Sequence, residues 1–143
     1  MSSRSLSGLL FALAITAAAC RTAAVEPAGP ALDERFSLRA GESARIRDTP
    51  ATLVFERVLG DSRCAIDVVC IQAGEARVAF RLEQRGAPPV AFQLDTDRER
   101  TAATDGYTVT LVSVLPAPRS TVRIDPKSYV VEVLVSRGAS SGS

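Results

Sequence analysis

ARVAFRL, residues 76–82, sets Ala76, Val78, Phe80 and Leu82 on alternate positions, with Arg77, Ala79 and Arg81 between them. Successive side chains of an extended strand point to opposite faces. This spacing therefore buries one face and leaves the other to solvent, whereas a helix would need apolar residues three and four apart. The same period recurs in Val90, Phe92 and Leu94, in Tyr107, Val109 and Leu111, and in Tyr129, Val131, Val133 and Val135. In the last segment Val130 and Leu134 add apolar residues on the opposite face, which predicts a strand covered on both sides. Shorter candidates lie at 36–38, 43–47 and 52–59.

Between these segments the chain carries turn chemistry: Arg85-Gly86-Ala87-Pro88-Pro89, residues 96–106, and Pro116-Ala117-Pro118. No long helical period appears beyond the amino terminus. The expected fold is all-β, with about seven strands forming an antiparallel sandwich, immunoglobulin-like, or a small barrel.

The amino terminus has a different character. Arg4 precedes Leu9-Leu10-Phe11-Ala12-Leu13-Ala14-Ile15, which runs into Thr16-Ala17-Ala18-Ala19-Cys20. A charged start, about 7–15 apolar residues and small residues before a cut describe a secretory signal, and a spanning helix needs roughly 18 or more apolar residues. The small residues directly before a cysteine resemble the signal of bacterial lipoproteins. That resemblance covers about twenty residues and implies that Cys20 is lipidated and becomes the mature amino terminus. With Arg21 rather than aspartate after the cysteine, the lipoprotein sorting pattern implies an outer-membrane location facing the periplasm. Ala17-Ala18-Ala19 also satisfies an ordinary A-x-A cut, which would leave a soluble secreted or periplasmic protein.

Residues 21–32 are rich in alanine and proline and read as a tether. The expected organisation is a signal peptide over 1–19, the lipidated cysteine and flexible tether over 20–34, a β domain over 35–137 and a disordered tail over 138–143.

The chain has three cysteines. Lipidation consumes Cys20 and leaves Cys64 and Cys70 as an even pair in an oxidising compartment, where disulfides persist. Their spacing is not C-x-x-C, and no further thiol stands nearby. A disulfide there closes a short ring, and the chain-entropy model assigns it about 2.4 kcal/mol. Ile66, Val68, Val69 and Ile71 are expected to surround the pair with apolar side chains, which marks a structural staple; a redox pair or a soft-metal site is the alternative.

The staple sits in DSRCAIDVVCIQAGEA, residues 61–76, expected as a crossover loop that opens with a turn at Gly60-Asp61-Ser62 and bends at Gly74. The Asp61 side chain is expected to accept backbone N–H bonds there. Through Asp61, Ser62, Arg63, Cys64, Cys70, Ile71, Gly74 and Ala76, the stretch resembles a signature of small uncharacterised bacterial lipoproteins and secreted proteins. In that family the pattern runs D-S-R-C-P, then C-V-W-x-G-x-A. The resemblance extends through the Tyr107 strand, Pro116-x-Pro118 and the Tyr129 strand. Ala65 replaces the usual proline and Gln72 the usual tryptophan, so no role of that aromatic carries over. The resemblance implies export and fold rather than an activity.

Several chemistries are excluded. With no histidine, Ser-His-Asp and Cys-His catalysis and imidazole metal sites are ruled out. Seventeen basic residues stand against sixteen acidic ones. Arg45, Arg47, Arg77 and Arg81 are interspersed with Glu42, Asp48, Glu75 and Glu83, which gives no concentrated positive face for nucleic acid. Asp95-Thr96-Asp97-Arg98-Glu99-Arg100 begins like a calcium loop, but the sixth and twelfth positions from Asp95 hold Arg100 and Gly106 instead of glycine and glutamate. The segment reads as a solvated hairpin loop. Lys127-Ser128 are neighbours on an extended chain and would point apart. No catalytic residue, metal or cofactor is expected.

What remains is a lipid-anchored, non-catalytic interaction domain that docks on another envelope protein or on the cell wall. Its candidate interaction loop is formed by Asp61, Arg63, Gln72 and Glu75. The alternatives are a periplasmic small-molecule or metal-binding module and, behind it, a carboxylate-dependent hydrolase.

Overall fold

The alternating segments form eight strands in the computed structural model, which describes residues 28–138. They are β1 (Arg35–Arg39), β2 (Ser43–Arg45), β3 (Ala51–Asp61), β4 (Ala76–Gln84), β5 (Val90–Asp95), β6 (Thr101–Thr104), β7 (Tyr107–Leu115) and β8 (Val130–Arg137). The expected signal peptide, Cys20, residues 20–27 of the expected tether and residues 139–143 of the expected tail lie outside the described residues.

The strands pair antiparallel in two four-stranded sheets, ordered β1-β8-β7-β6 and β2-β3-β4-β5. The sheets pack as a sandwich and do not close into a barrel. Immunoglobulin domains are wired by Greek-key connections. Here strands adjacent in sequence pair within each sheet, β2 to β5 in one and β6 to β8 in the other, while β1 pairs only with β8 and the chain changes sheets between β1 and β2 and between β5 and β6. The chain is a meander folded in two.

At the β1–β2 corner it changes sheets within a few residues. The Ala40 N–H donates to the Tyr129 carbonyl and the Gly41 N–H to the Phe55 carbonyl, at 3.0 and 2.8 Å. Gly41 has φ +86°, which a residue without Cβ adopts at no steric cost.

β6 is the strand the alternation did not predict, because it lies within the break read at 96–106. Thr101-Ala102-Ala103-Thr104 carry no large apolar side chain, so no buried period marks them. The strand owes its place to the turn that follows. Asp105 and Gly106 both have positive φ, 47° and 81°, as a two-residue hairpin loop of the Asp-Gly kind requires, and this sets Thr104 opposite Tyr107.

The inner faces follow the period-two pattern. Val78, Phe80 and Leu82 from β4 and Val131, Val133 and Val135 from β8 are fully buried. Register puts Phe55, Phe80 and Phe92 side by side across three strands, with ring centroids 5.7 and 5.6 Å apart. Val130 and Leu134 are not covered by a further layer. They lie half-buried on the outer face, opposite Arg39 and Arg35 of β1.

The two ends of the sandwich differ. At one end lie the β4–β5 and β6–β7 turns, joined by a Gln84 Nε2 bond to the Asp105 carbonyl at 3.0 Å. Both ends of the described chain are there too: the Asp33 N–H donates to the Val135 carbonyl and the Gly138 N–H to that of Gly106, each at 2.8 Å.

Residues 28–34, expected as the last part of the tether, pack onto the domain at this end. Leu32 rests against the core, and the Arg47 N–H donates to the Pro30 carbonyl at 2.9 Å. A Cβ on Gly29 would fall 1.9 Å from the Arg45 carbonyl oxygen, so glycine permits the approach. A single apolar side chain has no period, so the sequence pattern gives no sign of this packing.

At the other end are the two long connections, β3–β4 and β7–β8. With a rise of about 3.3 Å per residue, β3 alone separates the ends by about 30 Å.

Because Phe80 is the middle ring of the aromatic row and fully enclosed, Phe80→Ala is expected to lower unfolding stability by about 3–5 kcal/mol. Urea denaturation followed by far-ultraviolet circular dichroism measures this, and a loss below about 1 kcal/mol contradicts the packing described.

Candidate functional site

The turn expected at Gly60-Asp61-Ser62 does not form. β3 continues through Gly60 and Asp61, which pair with Arg77 and Ala76. Since β3 and β4 are neighbours in one sheet, residues 62–75 make a long hairpin loop and not a crossover.

Two residues apart on an extended chain, Asp61 and Arg63 face the same way. Arg63 Nε donates to Asp61 Oδ1 at 2.8 Å and Nη2 to Oδ2 at 2.6 Å, a bidentate ion pair. The guanidinium also reaches across to the other sheet, where Nη1 donates to the Val114 carbonyl at 2.5 Å and Nη2 to the Pro116 carbonyl at 2.9 Å. From directly before β8, the Tyr129 hydroxyl donates to Asp61 Oδ2 at 3.0 Å. The Asp61 and Arg63 side chains are only 10% and 16% exposed. They form a polar clamp between the sheets and are not offered to solvent.

The clamp sets its own protonation. Burial alone would raise the Asp61 pKa, but the hydrogen bonds and charge of Arg63, with the Tyr129 hydroxyl, outweigh it and hold the carboxyl below its ordinary value. Tyr129 is shifted upward, first by burial and then by its bond to the Asp61 carboxylate.

Above the clamp, the loop base is closed by reciprocal bonds. The Ser62 N–H donates to the Glu75 carbonyl at 2.8 Å, and the Glu75 N–H to Ser62 Oγ at 3.1 Å. Gly74 permits this approach, because a Cβ there would lie 1.6 Å from the Ser62 carbonyl oxygen. Cys64 and Cys70 are joined in a disulfide.

The loop is bonded in turn to the β7–β8 connection. The Ile66 N–H donates to the Pro118 carbonyl at 3.0 Å, and Ser120 gives its N–H and hydroxyl to the two Asp67 oxygens at 2.9 and 2.7 Å. Those two bonds hold the Asp67 carboxyl below its ordinary pKa.

The apolar side chains expected to enclose the disulfide instead face solvent. Ile66 and Val68 are 60% and 46% exposed, and Val69 and Ile71 are fully so. The core at this end finishes with Ala76, Val114 and Tyr129, all buried. The disulfide ring stands beyond them, where no sheet face remains to receive its side chains. Leu115, at the end of β7, and Val122, on the bonded connection, are also more than half exposed. Among the described residues, these six are all of the exposed large hydrophobics.

Of the four candidate loop residues, Asp61 and Arg63 therefore meet in the clamp. Gln72, exposed, and Glu75, half-buried, line an open cleft of about 410 Å³ with Ser62, Asp97 and Arg98. Sequence reasoning missed Tyr129 as a partner of Asp61 and the exposure of Leu115 and Val122. The only local signal for the clamp was the same-face spacing of Asp61 and Arg63.

Asp95, where the calcium resemblance began, spends Oδ1 on the N–H groups of Asp97, Arg98 and Glu99 at 2.6 to 3.1 Å. Among the described residues no group of three or more Cys, Asp or Glu side chains is placed to hold a metal ion. Ser128 Oγ donates to the Asp125 carbonyl at 2.7 Å. The chain matches no protein-family model, no curated protein and no solved structure.

Replacing Asp61 with asparagine leaves Arg63 half-buried without its counter-charge, and a stability loss of about 2–4 kcal/mol is expected. The native carboxyl titrates below its unfolded value of about 3.9. Its contribution is therefore complete above that pH and disappears as pH falls through the lower folded value. Chemical denaturation of both proteins should show a gap that is constant near neutrality and closes in acid; a gap that widens in acid contradicts the clamp.

Replacing Cys64 and Cys70 together with serine should lower stability by about 2–4 kcal/mol and leave the β-sheet spectrum unchanged. Amide exchange in residues 64–72 is expected to rise first, and a lost sheet spectrum would assign the bond a larger role.

Proposed function

We propose that this protein is a lipid-anchored, non-catalytic interaction domain of the cell envelope, holding its disulfide end out towards a second envelope component. The observation that carries the reading is the placement of the two ends. The chain enters the sandwich beside the β4–β5 and β6–β7 turns, and the six exposed hydrophobics lie about 30 Å away, on or directly beside the two bonded loops. The largest apolar patch on a soluble monomer is often a functional one.

The loops are also suited to presentation. A disulfide, the Asp61–Arg63 clamp and the Asp67–Ser120 bonds fix them on a rigid scaffold, so little ordering remains to oppose binding. The signal-like amino terminus and the small residues before Cys20 support export and lipidation, and Arg21 supports an outer-membrane address. Three acyl chains make a firm anchor where one is marginal. The reading requires no catalytic group.

Mass spectrometry of the native amino-terminal peptide is expected to find diacylglyceryl and an amide-linked acyl chain on Cys20, with the protein recovered in the outer-membrane fraction. An unmodified Cys20, or a mature chain that begins beyond it, removes the anchor. A photoreactive residue at Val69 is expected to give adducts in intact cells, whereas one at Asp105, at the opposite end, is not. Equal labelling from both positions removes the docking assignment.

A further inference from the structure

The chemistry of the exposed end narrows what covers it. Ile66, Val68, Val69, Ile71, Leu115 and Val122 are all aliphatic. Protein hot spots draw instead on Trp, Tyr and Arg, with Leu and Val under-represented. Transfer energies imply that a buried Val or Leu side chain hides about 100 Å², so six of them at these exposures present about 400 Å². A stable interface with a second copy buries about 800 Å² on each side. Val69 and Ile71 stand wholly clear of their neighbours, as tips rather than as the walls of a groove. A fluid acyl layer receives such tips without a matching pocket.

The charge on the bonded connection points the same way. A bridge between Arg119 and Val122 sets Arg119 and Arg123 beside the exposed valine, and Lys127 follows on the same loop. None of the three forms an ion pair among the described residues. Asp67, held by Ser120, and Asp125, held by the Lys127 N–H at 2.8 Å, keep their charge beside them, so three cations stand against two carboxylates on this flank. The other flank of the disulfide loop is mixed, with Glu75, Asp97 and Arg98.

We propose that the disulfide end is a binding surface for anionic lipid bilayers, which Val69 and Ile71 enter while Arg119, Arg123 and Lys127 contact the headgroups. This rests on the reading of that end as a docking surface and names what it docks on. Interfacial amphipathic helices bind membranes by burying apolar side chains about 5–10 Å deep beside basic residues, and the same two forces act on apolar loop tips.

The test uses residues 28–138, whose two sheets enclose the core without the rest of the chain, and melting of each variant checks that it folds. The domain should sediment with vesicles of phosphatidylethanolamine and phosphatidylglycerol, and not with phosphatidylcholine alone. Val69→Asp with Ile71→Asp, and separately Arg119→Glu with Arg123→Glu, should each weaken binding at least about tenfold, and added salt should weaken the native protein. No sedimentation with the anionic vesicles overturns the proposal, and so does binding that Val69→Ser with Ile71→Ser leaves unchanged. A lipid-free dimer that Ile71→Asp dissolves overturns it in favour of a second copy. In cells, lipid adducts from the Val69 probe support it. Protein adducts alone overturn it while leaving the docking reading standing, and an unlipidated Cys20 leaves the vesicle result untouched.

Discussion

One ion pair organises the disulfide end of the molecule. Asp61 is the last residue of β3 in one sheet, and Arg63 lies two residues beyond it. They take up the carbonyls of Val114 and Pro116 and the hydroxyl of Tyr129 from the other. Backbone carbonyls at a half-buried strand end need partners, and a forked guanidinium satisfies two of them while keeping its bidentate carboxylate. The β3–β4 and β7–β8 connections are thereby held together, and the Ile66–Pro118 and Asp67–Ser120 bonds have a platform to form on. Among the described residues no buried side-chain nitrogen or oxygen is left without a partner, so a buried charge pair is tolerated here without an unpaired remainder.

The clamp also gives physical content to the D-S-R-C run. Asp61 and Arg63 supply the pair, Ser62 closes the loop base against Glu75, and Cys64 begins the ring. Gly74 completes the base by letting the backbone approach Ser62 where any Cβ would collide. The loop is thus constrained from below by polar bonds and across its middle by a covalent one. Its apolar side chains are nevertheless left in water, an arrangement that gains nothing for the isolated domain and suits a surface that another component covers.

The two ends divide the labour of the sandwich. Around the chain entrance, short turns such as Asp105-Gly106 connect strands with few residues and leave little to present. At the far end, long connections carry the exposed surface. Folding a meander in two, with β8 returning to β1, places every long connection of the β3–β4 and β7–β8 hairpins at the same end.

Much of this was legible in the sequence, and the boundary has a physical cause. Alternation at i and i+2 is a local property of a strand. The residues at 76–82, 107–111 and 129–135 therefore announced both the all-β class and the buried faces. The cysteine count, read with a signal-like amino terminus, likewise announced the Cys64–Cys70 bond. β6 escaped because four small or polar residues bury too little to leave a period. The clamp escaped because its partners lie 51, 53 and 68 residues away, and nothing local to Asp61 or Arg63 specifies Val114, Pro116 or Tyr129. The tertiary structure alone decided that Ile66, Val68, Val69 and Ile71 face water. An apolar side chain is buried only where a neighbouring surface arrives to cover it, and the core ends one layer below this loop.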